Sequence, residues 1–94
     1  MLEGYVKKIL SAKVYDLASE TPLSIAPLLS KRLETKVLLK REDLQPIFSF
    51  KVRGAFNKIS HLSAKERNRG VITASAGNHA QGVSVAASAL NIEA

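Results

Sequence analysis

The sequence predicts an α/β domain built around a parallel sheet. Two short apolar runs carry this expectation: Val37-Leu38-Leu39 and the β-branched stretch Val71-Ile72-Thr73-Ala74. After each run the apolar residues switch to helical spacing. Strand, helix, strand, helix is the order that parallel sheets with right-handed crossovers require.

The elements follow in order. Residues 4–11 predict a short helix with Val6, Ile9 and Leu10 on one side. "AKVYDLASETPL" reads as an extended connection, because Pro22 pushes Thr21 away from helical geometry. A helix is expected from Ser24 to about Leu33, capped by Ser24 and tolerating Pro27 in its first turn. A buried strand at 36–41 comes next and "DLQP" breaks it. From Ser49 the stripe Val52, Ala55, Phe56, Ile59 and Leu62 marks one apolar helix face. "SAKE", Ser63 to Glu66, matches a capping box that opens a short helix, and Gly70 ends it. Residues 71–74 are the second strand. A last helix runs from His79 to Leu90, with Ala80, Val83, Ala87 and Leu90 on one stripe and Asn91 as terminator.

In parallel sheets ligands sit beyond the carboxyl ends of the strands. The loops "REDLQPIFSFK" and "SAGNH" leave those ends, so both are expected on one edge. The chain begins at Met1 and stops at "LNIEA", where another strand is expected, so it reads as the front part of a longer protein.

Composition narrows the chemistry. The 94 residues are 46% apolar, enough for one small core and against disorder. There is no cysteine, so no disulfide or thiolate metal site forms, and two histidines do not make a zinc site; no metal is expected. No run reaches the length of a membrane span, and "MLEGYVKKIL" lacks a signal-peptide layout, so a cytoplasmic, membrane-free protein is expected. The net charge of +6 comes from scattered lysines and arginines with acids among them, which suits solubility better than nucleic-acid recognition.

Two stretches carry candidate chemistry. In "FSFKVRGAFNK", Lys51 stands at a helix start between aromatic and small residues. The helix dipole and water exclusion by Phe48 and Phe50 favour a neutral, nucleophilic amine. Gly54 and Ala55, three and four residues on, leave room for a flat group beside it. A solvated surface lysine with Gly54 as a packing contact accounts for the same residues. In "SAGNHAQG", backbone N–H groups at a helix start form an anion site, Gly77 permits close approach or a positive φ, and Asn78 donates and accepts. A plain helix cap by Asn78 or Ser75 is the alternative. Gly82 inside the helix points to close packing or ligand approach. His61 and His79 read as structural hydrogen-bonding residues, and "KRED" as a salt-bridged rim. There is no P-loop, no GxGxxG, and no Ser-x-x-Lys arrangement at Lys51.

Together "SFKVRGA" and "ASAGNHAQG" resemble the lysine motif and asparagine loop of the pyridoxal-phosphate enzymes related to the tryptophan synthase β chain, in their serine/threonine dehydratase branch. "VYD", "TPL", "LLKREDLQP" and "GVITASAGNHAQG" look most like the biosynthetic threonine ammonia-lyases (threonine dehydratases). The resemblance spans nearly the whole chain. It implies the fold type II architecture, three layers around a parallel sheet, with residues 1–94 as the N-terminal portion of the catalytic domain.

It further implies that Lys51 holds pyridoxal 5'-phosphate as a Schiff base, with Phe50 packed on the ring and Asn78 hydrogen-bonded to its phenolic oxygen. Ser75, Ala76, Gly77, Asn78 and His79 are implied to receive the substrate carboxylate. The implied reaction is β-elimination of L-threonine to 2-oxobutanoate and ammonia, the first step of isoleucine biosynthesis, with Lys51 as general base. The family's glycine-rich phosphate loop and the residue facing the pyridine nitrogen lie outside these residues. The chain alone is therefore expected to be inactive, and the full protein is expected to be a homo-oligomer, tetramer or dimer. Serine dehydratase or serine racemase is the alternative within the family, with L-serine as substrate. A small basic nucleic-acid-binding module and a non-catalytic remnant are the alternatives outside it.

Overall fold

The computed structural model describes all residues, Met1–Ala94. It contains five α-helices and one small sheet. Helix α1, Leu2–Ser11, buries none of its residues. A 3₁₀ turn at Val14–Asp16 follows, inside the stretch expected to be extended.

Strand β1, Leu23–Ile25, pairs antiparallel with β2, Leu38–Lys40, in the register Leu23 with Lys40, Ser24 with Leu39 and Ile25 with Leu38. The structure corrects two expectations in this region. Ser24 lies in a strand and caps no helix; helix α2 is Pro27–Leu33, with Ala26 at its N-cap. The physical reason is Pro27: its fixed φ suits the first helical position, and it holds the residue before it extended. The second correction concerns β2, which is exposed along its length rather than buried. It has a single partner strand, and no helix packs on its faces. Ser30 ties α2 to the sheet: its hydroxyl donates to the Ala26 carbonyl at 2.6 Å and accepts the Val37 N–H at 3.0 Å.

The core lies between α3, Lys51–Ser60, and α5, Asn78–Ala89. Val52, Ala55, Phe56 and Ile59 form the buried stripe of α3, as the spacing predicts. From α5 the buried residues are Gly82, Val83, Ala86 and Ala87, so the stripe is offset from the expected one at Ala80 and Leu90. Ile92 completes the cluster, and Leu17, Leu62, Val71 and Leu90 pack at its margin.

Between the two helices in the chain sits α4, Ala64–Arg69. Its capping box is formed in full: the Glu66 N–H donates to Ser63 Oγ, and the Ser63 N–H donates to the Glu66 carboxylate at 2.7 Å. Gly70 ends it at φ 76, and a Cβ there would meet the Glu93 carbonyl oxygen at 2.8 Å.

Residues 71–74 form no strand. A strand needs a ladder, whereas this stretch is tied by the Val71 N–H donating to the Glu93 carbonyl at 2.8 Å. The expected parallel pair, and the shared edge on which two loops open, do not form among these residues. The link between the two loops runs instead through the α3–α5 contact.

Candidate active site

Lys51 is the first residue of α3 and is half-buried. Its backbone N–H donates to Ser49 Oγ at 3.3 Å, and Ser49 is buried, so the turn before the helix is pinned. The Lys51 ammonium lies 5.7 Å from the centroid of the Phe50 ring. It has no carboxylate partner: the ion pairs are Arg41 with Asp43 and Arg53 with Glu42. A primary amine without an acid beside it keeps its nitrogen available for covalent chemistry.

Phe48 and Phe50 do not exclude water from this amine. Phe48 is 80% exposed and Phe50 58%, and apart from the Lys51 ammonium near Phe50 the rings face open space. Phe48 also has φ 57, a left-handed backbone rare for an aromatic residue. Gly54 leaves open space: a Cβ there would have no atom within 4 Å.

Asn78 opens α5 and is exposed, as are Ser75, Ala76, Gly77 and His79. Neither Asn78 nor Ser75 caps the helix with its side chain. The N-cap is Gly77, whose φ of 172 is extended rather than left-handed, and whose absent Cβ would touch nothing. Ser75 Oγ accepts the Gly77 N–H at 3.1 Å, folding the loop back on itself. The first-turn N–H groups after it have no intrahelical carbonyl to meet. This is an arrangement that suits an anion.

Gly82 joins the two stretches. A Cβ at this position would sit 3.0 Å from the Lys51 carbonyl oxygen and 3.3 Å from Ala55 Cβ. The absent side chain thus lets α5 rest directly on the turn that carries Lys51. Beside this contact, Gly54, Ala55, Lys58, Thr73, His79 and Val83 contribute to a groove of about 260 Å³. His61 stays apart, with Nδ1 2.6 Å from the Asn57 carbonyl oxygen at the end of α3. Neither Lys51 nor Asn78 lines this groove; the amine and the open space at Gly54 suit a flat aldehyde cofactor, and the free N–H groups at the start of α5 suit an anion.

Sequence reasoning missed one cluster. Glu42 is not a rim residue. Its carboxylate accepts from Arg53 Nε at 2.8 Å and Nη2 at 2.9 Å, from Thr21 Oγ1 at 2.7 Å and from Gln45 Nε2 at 3.0 Å. These bonds, led by Arg53, hold its pKa down at about 2. Gln45 is 1% exposed and grips the Ser19 backbone twice, accepting its N–H and donating to its carbonyl, both at 2.8 Å. Arg53 also donates to the Tyr15 hydroxyl at 3.2 Å. The available signal was Gln45, an amide in a turn otherwise explained by its proline. Arg41 and Asp43 do form the expected rim pair at 2.7 Å.

No helix is long and apolar enough to cross a membrane. The family model for "Pyridoxal-phosphate dependent enzyme" matches residues 14–94. The chain is 60% identical over 90 residues to the biosynthetic L-threonine dehydratase of Burkholderia multivorans, covering 96% of this chain and 18% of that protein. It is 58% identical over 90 residues to the chloroplastic threonine dehydratase 1 of Solanum lycopersicum, covering 96% of this chain and 15% of that one. The expected cytoplasmic location thus meets one bacterial and one chloroplastic relative.

The processed form of threonine deaminase isoform 2 from Solanum lycopersicum superposes with a TM-score of 0.91 at 55% identity, covering 97% of this chain and 25% of that chain. The likeness gives the fold type II architecture expected from the lysine motif, of which these residues form a small α/β part. With most of its length matched, the chain belongs to the pyridoxal-phosphate dependent enzyme family.

Proposed function

We propose that this chain is the N-terminal portion of the catalytic domain of a threonine ammonia-lyase, which converts L-threonine to 2-oxobutanoate and ammonia in isoleucine biosynthesis. The observation that carries the reading is Lys51, an amine without an acidic partner at the start of α3. The identity to relatives named as biosynthetic threonine dehydratases supports the substrate.

In this reading Lys51, Phe50 and Asn78 would hold pyridoxal phosphate, the lysine through a covalent bond from Nζ, Phe50 by apolar contact and Asn78 by a hydrogen bond. When bound, the cofactor supplies an electron sink for the charge left at the substrate's α-carbon. Once the substrate's amino group has replaced it on the cofactor, the amine of Lys51 would accept the α-proton. The loop Ser75-Ala76-Gly77-Asn78-His79 binds the substrate carboxylate through its N–H groups and the dipole of α5. Gly54 keeps the space beside the amine open. The full protein is expected to work as a homo-oligomer in the cytoplasm.

The test uses the full-length protein with pyridoxal phosphate. Borohydride reduction followed by peptide mapping is expected to find the label on Lys51, with 2-oxobutanoate formed from threonine. Lys51→Ala is expected to lose the label and at least about 10²–10⁴-fold in turnover. A label elsewhere in a saturated protein sinks the mechanism. A label on Lys51 with turnover of serine alone moves the substrate to serine.

A further inference from the structure

We propose that Arg53, clamped by Glu42, is a positioning residue for Lys51: the clamp fixes the rotation of the first turn of α3 and so the direction in which the lysine leaves it. The proposal rests on the reading that Lys51 carries the cofactor.

Arg53 follows Lys51 by two positions, so the two side chains leave the helix about 200° apart, on opposite faces. A fixed hold on one face therefore aims the other. The hold is a two-point fork, with Nε on one Glu42 oxygen at 2.8 Å and Nη2 on the other at 2.9 Å. A fork resists twisting as a single bond does not. Its base is rigid as well. The same carboxylate takes Thr21 and Gln45, and Gln45 is locked to the Ser19 backbone. Tyr15 steadies the guanidinium from the side, with its ring centroid 5.2 Å from Cζ. On the other side, α5 meets the Lys51 carbonyl at Gly82. The turn that bears the lysine is thus held at its backbone by Ser49 and by the approach of Gly82, and on its far face by the Arg53 fork.

The test again uses the full-length, cofactor-loaded protein. Arg53→Lys keeps the charge and loses the fork. Wild type and variant are expected to carry the borohydride label on Lys51, with the variant folded and melting a few degrees lower. The circular dichroism of the cofactor's visible band is expected to weaken in the variant, and kcat to fall about 10–100-fold with little change in KM, as a misaimed reacting group should produce. Glu42→Gln is expected to act in the same direction.

If Arg53→Lys does not fold, Thr21→Val takes its place. It removes one bond to Glu42 and is expected to give a smaller loss of kcat and of the dichroic band. A folded variant with wild-type dichroism, kcat and KM overturns the proposal and leaves the cluster a purely structural one. Absence of the label from Lys51 in the wild type is a different result, and it overturns the underlying reading.

Discussion

At the scale of single residues, Glu42 shows how a charge becomes part of a fold. Its pKa is lowered from 4.5 to about 2, first by Arg53, then by Thr21 and Gln45. A carboxylate with a depressed folded-state pKa stabilises the protein above its unfolded pKa, and the contribution is lost as pH falls through the folded value. For Glu42 that window runs from about 4.5 down to about 2. In the full-length protein, Glu42→Gln is expected to cost on the order of 2 kcal/mol at neutral pH, allowing for partial solvent screening. The difference from wild type should close as pH falls through the window, which urea midpoints measured at several pH values will check. Lys51 and Asn78 were legible as candidates only through the motifs "SFKVRGA" and "ASAGNHAQG". Glu42 and Arg53 were not. Their partners come from distant segments, and no local pattern announces a bond between Thr21 and Glu42 or between Arg53 and Tyr15.

At the scale of elements, α3 and α4 were readable, α2 and α5 in part, and the pairing of the sheet was not. The α3 stripe, the Ser63 capping box and the Gly70 stop are local patterns, and each stands where the spacing puts it. The strand at 71–74 fails because a ladder needs a second strand, which these residues do not supply. The hairpin of β1 and β2 escaped notice because α2 separates its strands and the leucines read as burial. Gly82 gives the prediction at this scale. Alanine usually helps a helix by about 1 kcal/mol over glycine. Here the new methyl would press on the Lys51 carbonyl at 3.0 Å, and backbone yields poorly. Overpacking of this kind costs about 1–3 kcal/mol. Gly82→Ala is therefore expected to lower the melting temperature of the full-length protein by a few degrees, where a compatible site would raise it. Thermal unfolding of the two proteins decides the sign.

At the scale of the whole molecule, these residues make an open body. Only 13 of 94 residues are buried, while Leu10, Leu28 and Ile72 are each more than four-fifths exposed. The radius of gyration is 16.5 Å, against about 12 Å for a compact domain of this length. The prediction is that the 94-residue chain made alone binds a hydrophobic dye and unfolds without a sharp transition, as followed by fluorescence and calorimetry. The same dye should leave the full-length protein dark. The meeting of α3 and α5 at Gly82 has a bearing on birth as well as on form. Both elements of that contact lie within these 94 residues, and domains generally gather from the amino end during synthesis. The turn that bears Lys51 and the helix that follows the asparagine loop can thus meet early in synthesis, loosely and without the sharp cooperativity of a closed domain.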